Sequence, residues 1–329
     1  MAKFLIIGSN SFSGSNFINK ILSNKNNKVV GISRSIENQI FLPYLENKNL
    51  NNFKFYKLNL NKNLNKIIRI IKKFKPNYVA NFAAQGMVNE SWITPEDWYQ
   101  TNIVSNTNLI NNLKEYKFLK KYLHVSTPEV YGDTRYKIKE NLNFSPSTPY
   151  ANSRAAFDNH LMLFNKVFKF PAIISRAANI YGPGQKLYRI IPKSIIHFKK
   201  NKKIVVDGMG KSLRAFVYID DLTEAYYRIL LHGKPGNTYH ISSNEFYSIK
   251  NIVTKISTQI KNSKSLIVLA KNDRLGKDHR YFLNSDKVRN ELNWMPKVNI
   301  TNGIIKTREW IELNFKKLNK ISTKYIHNK

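Results

Sequence analysis

Short apolar runs alternate with amphipathic stretches through the first third of the chain. Residues 3–8, 28–33, 53–60, 78–84 and 122–127 have the length and apolar content of strands. Between them, Phe17, Ile18, Ile21 and Leu22 recur at the spacing of one helix face, as do Leu64, Ile67, Ile68, Ile71 and Phe74. Strands joined by single helices require right-handed crossovers, and these build a parallel sheet covered on both faces. A helix starting near Tyr150 and a strand over 172–176 continue the alternation. Beyond about Asn179 the turn signals YGPGQ (181–185), VDGMGKS (206–212) and GKPGN (233–237) break the chain into shorter elements. The pattern predicts a doubly wound α/β fold with a smaller, partly interleaved C-terminal domain. Residues 1–178 form the first unit and 179–318 the second, followed by a polar, basic tail (319–329) that is expected to fray.

Composition narrows the class. A chain of 329 residues with 42% hydrophobic and 12% aromatic content buries a full core. Its longest apolar runs fall far short of the roughly 20 residues of a membrane-spanning helix. No apolar leader precedes the first strand, so the cytoplasm is the expected location. Cysteine is absent, which excludes disulfides, thiolate metal sites and a cysteine nucleophile. The histidines show no metal-ligand spacing, and no metal is expected. The net charge of +33 raises the question of a polyanionic partner. However, 42 of the 54 basic residues are lysine, scattered along the chain, and Asn and Ile are plentiful too. That is the mark of an AT-rich coding sequence, and a nucleic-acid partner is not expected. The charge still favours approach of an anionic substrate.

The first strand runs directly into GSNSFSGS (8–15) and then a helix. Gly8 allows a tight turn and Gly14 lets the helix begin close to the strand, so helix N-terminal N–H groups face a pyrophosphate. Ser11 stands where a middle glycine is usual. The segment resembles the dinucleotide turn of a Rossmann fold, with an ordinary strand-to-helix turn as the alternative. The second strand ends in Ser33 and Arg34 where an acidic residue would bind a bare ribose 2′-hydroxyl. That exchange points to NADP, with NAD also possible.

The fifth strand ends YLHVSTPEVYG (122–132), and YANSR (150–154) follows. With NFAAQGMVNES (81–91), TN (101–102), RAANIYGPGQ (176–185), RAFVYIDDLTEA (214–225) and DRLGKDHRYFLNSDKVRNELNW (273–294), the chain resembles the NAD-dependent epimerase/dehydratase family of extended short-chain dehydrogenases. It is most similar to the dTDP-glucose 4,6-dehydratases. The motifs occur in order over nearly the whole length.

The resemblance implies that Tyr150 removes the proton of a sugar 4-hydroxyl while the nicotinamide takes hydride from C4. A phenol with a pKa of about 10 needs a neighbouring cation for this. The family places a lysine four residues on, where this chain has Arg154, a permanent cation unable to release its proton. Thr127 is the implied hydrogen-bond partner of the 4-oxygen, and Glu129 the base for the C5 proton. The family's acid at the preceding position is replaced by Pro128. The cofactor is implied to touch Gly8, Asn10, Ser11, Phe12, Gly14, Ser33, Arg34, Asn59, Leu60, Ala83, Ala84 and Asn102, besides Tyr150 and Arg154. Gln85, Asn179, Lys193, Arg214 and Arg274 are the implied substrate contacts, the arginines forming charge-assisted bonds to a diphosphate. Gln85, Met87 and Asn89 depart from the family's Ser, His and Asp near the sugar. Helices near 100–115 and 151–166 are implied to pair in a homodimer.

The leading expectation is therefore a lyase that converts a nucleotide-hexose to its 4-keto-6-deoxy form. An epimerase or decarboxylase sharing the 4-keto intermediate is the alternative. A cofactor-binding protein with impaired chemistry and an RNA or scaffold role is a third.

Overall fold

The structure, a computed structural model, describes residues 1–260, 263–273 and 275–327. Its strands are β1 (Lys3–Ile7), β2 (Lys28–Ser33), β3 (Phe53–Lys57), β4 (Tyr78–Asn81), β5 (Lys121–Ser126), β6 (Ala172–Ala177), β7 (Asn179–Tyr181), β8 (Ile204–Val206), β9 (Leu213–Tyr218), β10 (Thr238–Ile241), β11 (Phe246–Ser248) and β12 (Ile267–Leu269). Seven of them form one parallel sheet in the order β10-β6-β5-β4-β1-β2-β3. The order reverses between β1 and β4, where two crossovers diverge and leave a crevice at the carboxyl ends of the strands. This is the doubly wound Rossmann arrangement that the apolar pattern predicts. β11, β9 and β7 make a three-stranded sheet, and β12 and β8 a pair.

Strand ends fall where local chemistry stops the ladder. β4 is predicted to run to residue 84 but closes at Asn81, whose side-chain oxygen accepts the N–H of Ala83 at 3.0 Å. β3 ends at Lys57, three residues early, and the chain turns through Asn59, whose N–H and carbonyl both bond to Asn63.

Helices α1 (Phe12–Leu22), α2 (Leu64–Phe74), α3 (Pro95–Tyr99), α4 (Asn106–Leu113), α5 (Pro149–Phe168), α6 (Ile190–Lys199) and α7 (Ile219–His232) cover the sheet and build its extension. One face buries Ile67 and Ile71 of α2, Leu109 and Leu113 of α4, and Phe157 and Leu161 of α5 against Leu5, Ile7 and Val79. The other face is continuous with the C-terminal half. Phe4, Phe17 and Ile18 share one core with Ile191 and Ile195 of α6, Leu222 and Ile229 of α7, and Ile304. Each such aliphatic side chain contributes about 1.5–3 kcal/mol through burial. Because β10 lies in the large sheet and α7 packs on α1, the C-terminal half is anchored to the first by core, not by a linker.

The tail does not fray within the described residues. The ring of His327 stacks on Trp98 of α3 at 4.8 Å, its Nε2 lies 2.9 Å from Asp97 Oδ2, and Tyr325 meets Tyr188 edge-on at 5.2 Å. Aromatic rings among the basic residues supply the contact area that a purely polar tail would lack. Among the described residues no helix is long and apolar enough to cross a membrane.

Candidate active site

The site is assembled where β5 and α5 meet the crevice. Past Ser126, Thr127 caps a single helical turn (Pro128–Tyr131) by accepting the Glu129 N–H at 3.3 Å. Pro128 takes the first position of that turn, where no N–H is required and its fixed φ suits the bend. The turn carries Glu129 into the same enclosed corner as Tyr150, which sits in the first turn of α5 behind its own cap. There Thr148 Oγ1 accepts the Ala151 N–H at 3.1 Å. The Thr127 hydroxyl lies near enough to the Tyr150 phenol to favour its ionised form.

Electrostatics in this corner favour protons on acids. Burial pushes Glu129 up to about 7, and nearby Asp278 adds to the effect. Arg214, Arg189 and a hydrogen bond from Tyr281 act against it. Tyr281 Oη donates to Glu129 Oε1 at 3.4 Å. Burial also raises Tyr150, reinforced by the charge of Glu129 and opposed by Arg154, Thr127 and Arg189.

Arg154 lies one helical turn beyond Tyr150 and is buried beneath it. Its Nη2 donates to the carbonyl of Val125 and to His124 Nε2, the latter at 3.2 Å. Burial, with the charges of Arg154 and Arg176, holds His124 well below its usual pKa, so the ring is neutral and accepts. One turn further, Asp158 Oδ2 receives Ser126 Oγ at 2.7 Å and Arg176 at 2.8 and 3.1 Å. Among the described residues, Arg154 Nε and Nη1 are buried without a hydrogen-bond partner.

The crevice itself begins at Gly8, with φ +82°. A Cβ there would stand 2.7 Å from Ala83 N and Phe82 C, and one on Gly14 would stand 2.4 Å from Gly8 O. Ser11 needs no glycine: its φ is −70°, and its hydroxyl turns inward to donate to Gly8 O at 2.7 Å and cap Gly14 N at 3.0 Å. Phe12 opens α1, leaving its N–H and that of Ser13 without intrahelical partners. Asn10 ties the loop to the end of β2 by donating to the carbonyls of Ser35 and Ile36 at 3.0 and 3.1 Å. Gly8, Asn10 and Ser11 line one cleft with Ser33 and Arg34. Asn59, Leu60, Ala83 and Ala84 close its other wall. Asn102 is fully buried and clamps Gln85, accepting its N–H at 2.9 Å and donating to its carbonyl at 3.0 Å. Asn102 Nδ2 also bonds Ser153 at 2.9 Å, joining the cleft wall to α5.

The five substrate-side residues fare differently. Gln85 Oε1 accepts Arg34 Nη2 at 3.3 Å, linking the two ends of the cleft. Arg214 is buried and donates to the carbonyls of Leu213, Asp278 and His279 at 2.7–2.8 Å, with its guanidinium 4.0 Å from the Tyr281 ring centre. It braces the segment that carries Tyr281. Asn179 is half-buried at the start of β7, and Lys193 stands one turn after Arg189 at the α6 boundary. Arg274 lies outside the described residues.

The family model of GDP-mannose 4,6 dehydratase matches residues 5–307, a span that includes both halves of this site. The chain belongs to that family. It is 34% identical to human dTDP-D-glucose 4,6-dehydratase over 73% of this chain and 70% of that protein. To the Haemophilus influenzae dTDP-glucose 4,6-dehydratase it is 29% identical over 95% and 99%. The Bacillus anthracis dTDP-glucose 4,6-dehydratase, solved in complex with NAD, superposes with a TM-score of 0.83 at 27% identity, covering 96% of this chain and 98% of that one.

As a member of the GDP-mannose 4,6 dehydratase family, the chain is expected to take a nicotinamide dinucleotide, and its residues fit one. Gly8 has no room for a Cβ against the backbone of Phe82 and Ala83 beside the cleft, and among the described residues Arg154 offers two buried, unmatched donors beside Tyr150. Two residues of the site escape sequence reasoning. Tyr281 lies inside the motif at 273–294, and Arg189 in the YRIIPK run ahead of α6. Both are brought to Glu129 only by the fold.

Proposed function

We propose that this chain is a nucleotide-sugar 4,6-dehydratase, forming a 4-keto-6-deoxyhexose through a transient 4-keto sugar. The observation that carries the reading is the meeting of Thr127, Glu129 and Tyr150 in one corner beyond the carboxyl end of β5. A bound nicotinamide dinucleotide supplies the acceptor for hydride from C4 and its later donor to C6. Tyr150 takes the proton of the 4-hydroxyl, helped by the fixed charge of Arg154, while Thr127 holds the 4-oxygen by a hydrogen bond. The ketone acidifies C5–H, and Glu129 removes that proton. An acid whose pKa stands near 7 suits proton transfer in both directions at neutral pH.

Gly8, Asn10, Ser11, Phe12 and Gly14 would hold the pyrophosphate half of the cofactor. Ser33, Arg34, Asn59 and Leu60 would hold its adenosine half, with Ala83, Ala84 and Asn102 along the wall. NAD occupies the Bacillus anthracis relative. Ser33 and Arg34 support acceptance of NADP as well, since Arg34 lies in the cleft where a 2′-phosphate would stand. Gln85, Asn179, Lys193 and Arg274 are the proposed sugar and diphosphate contacts, with Arg214 acting through the segment it braces. Residues 1–178 serve the cofactor and 179–318 the substrate, with β10 crossing back into the large sheet.

A homodimer through α4 and α5 completes the proposal. Leu163, Val167 and Phe168 are exposed on α5, Val104 is exposed just ahead of α4, and Leu163 and Val167 share one face.

The test is incubation of the full chain with a panel of nucleotide sugars and either cofactor, with mass spectrometry of the products. Loss of one water supports the reading. An unchanged mass with an inverted C4, or loss of carbon dioxide, replaces it with epimerase or decarboxylase activity.

A further inference from the structure

The last described residues run extended, and their sidedness alternates. Ile321, Thr323, Tyr325 and His327 are half-buried, while Ser322, Lys324 and Ile326 are exposed. A period of two is that of an extended chain lying along a surface. Each inward residue has its own partner. Ile321 packs on the core that also takes Leu318 and the inner face of α6. Thr323 Oγ1 lies 3.1 Å from Nε2 of His197, on α6. Beyond it the rings of Tyr188, Tyr325, His327 and Trp98 form a row, with successive centres 5.2, 6.4 and 4.8 Å apart. The row leads from the segment ahead of α6, in the C-terminal half, to α3 in the first. From Ile321 to His327 an extended chain reaches at most about 20 Å, enough to bridge a ligand cleft.

Both ends of the row adjoin the site. Trp98 Nε1 donates to the carbonyl of Gly86 at 3.1 Å, and the neighbouring Gln85 accepts Arg34 at 3.3 Å in the cofactor cleft. At the other end the Arg189 guanidinium lies 5.4 Å from the Tyr188 ring centre, and its charge acts on Glu129 and Tyr150. Tyr325 therefore stands between Arg34 and Arg189. Burial and the neighbouring Tyr188 raise its hydroxyl, while the charges of both arginines pull it down. Among the described residues neither arginine is in an ion pair. Two such guanidiniums with a half-buried aromatic ring between them suit a phosphate-bearing ligand: the cations meet its charge, and the ring covers its less polar part.

We propose that residues 319–327 form the outer wall of the nucleotide-sugar site, with Tyr325 as a ligand-contacting residue held between Tyr188 and the latch of His327 on Asp97 and Trp98. This rests on the nucleotide-sugar reading above and adds a wall from outside the two domains. Leu318 and Ile321 fix the near end in the core, whereas the far end is held by one stacked ring and one contact of 2.9 Å to Asp97. The wall can thus part from α3 to admit a ligand and return over it without disturbing the core. Lys324, exposed on its outer side, takes no part in the contact.

The experiment is calorimetric titration of the full chain, saturated with NAD, with dTDP, UDP and GDP, alongside hydrogen exchange of the 319–327 amides. The diphosphate that binds the parent most tightly is expected to slow exchange across the segment, because a wall closes on its ligand. Faster exchange would reveal a plug that the ligand expels, and unchanged exchange a segment that the ligand does not meet; either overturns the proposal. Tyr325→Ala is expected to weaken that diphosphate by about fivefold or more, the size of one aromatic contact, with circular dichroism unchanged. Unchanged affinity would reduce the row of rings to a staple between the two halves, and tighter binding would make Tyr325 an obstruction; both outcomes overturn the wall. A parent that binds none of the three diphosphates sinks the nucleotide-sugar reading and the wall with it, whereas the other outcomes sink the wall alone.

Discussion

Arg154 donates to the ring of His124 at 3.2 Å, with the same Nη2 anchored on the carbonyl of Val125. A neutral imidazole beneath a guanidinium fixes the cation without neutralising it, so its field reaches Tyr150. Lysine at this position would be a point charge on a flexible stem, whereas arginine is held by its planar fork. Arg154→Ala is expected to slow C4 oxidation by roughly 10²-fold or more and to move its pH dependence upward, since Tyr150 loses the charge that lowers it. Arg154→Lys is expected to retain oxidation within about tenfold by the same reasoning. Stopped-flow absorbance across a pH series measures both. An unmoved pH profile in Arg154→Ala would mean that the cation does not act on Tyr150.

Glu129 gives the reaction a pH signature. Its pKa is pushed up to about 7, so the carboxylate that accepts the C5 proton is lost as pH falls through neutrality, well above the usual carboxylate range. Elimination is expected to decline below about pH 7, and Glu129→Gln to keep C4 oxidation while losing elimination. Stability follows the opposite sign. An acid whose folded pKa is raised costs stability above that pKa, and the cost disappears below its unfolded value. Glu129→Gln should therefore be more stable than the parent at alkaline pH, by on the order of 3 kcal/mol, and equal to it in acid. Denaturant midpoints at the two pH extremes check this. A variant no more stable at alkaline pH would show that the carboxylate is well solvated.

The Rossmann half was legible because each step of it is written locally. Continuous apolar strands, amphipathic helices and the Gly8–Gly14 turn each specify their own conformation, and the crossover rule then orders the sheet. Tyr150, Thr127 and Glu129 were singled out by the family resemblance of their motifs, and the fold brings the three together. What the spacing did not contain was distance across the chain: Tyr281 meets Glu129 from 152 residues away, and Arg189 reaches the corner only through the packing of α6. Arg214 reads as a phosphate ligand by type, and three of its five N–H donors also bond backbone carbonyls, a use visible only once the 278–281 segment is in place. The tail reads as frayed from its lysines, while Tyr325 and His327 decide its path.

The proposed dimer has an accessible test. Leu163 and Val167 leave 61% and 67% of their surface exposed on the outer face of α5, and Val104 joins them at 44%. An apolar stripe of this kind on paired helices marks an interface more readily than a solvated face. Light scattering is expected to give twice the chain mass for the parent and a monomer for Leu163→Asp with unchanged circular dichroism. A monomeric parent would end the proposal, and a dimeric Leu163→Asp would move the interface elsewhere.

The last expectation separates two glycines that look alike in sequence. Gly8 holds φ +82°, and a Cβ on it would overlap the backbone of Phe82 and Ala83 at 2.7 Å, on the floor of the cleft. Gly86 has no atom within 4 Å of the same added group. Placing an L side chain in the left-handed region costs roughly 1–2 kcal/mol before any overlap is counted. At Gly8 the strain is relieved only by parting β1 from β4, which opens the crevice where the pyrophosphate must sit. Gly8→Ala is thus expected to weaken dinucleotide binding by at least about tenfold, the equivalent of ~1.4 kcal/mol. Gly86→Ala is expected to leave the dissociation constant within about twofold, since nothing there has to move. Isothermal titration of both variants with NAD and NADP measures the contrast. Equal affinities for the two variants would mean that the cofactor does not lie over Gly8.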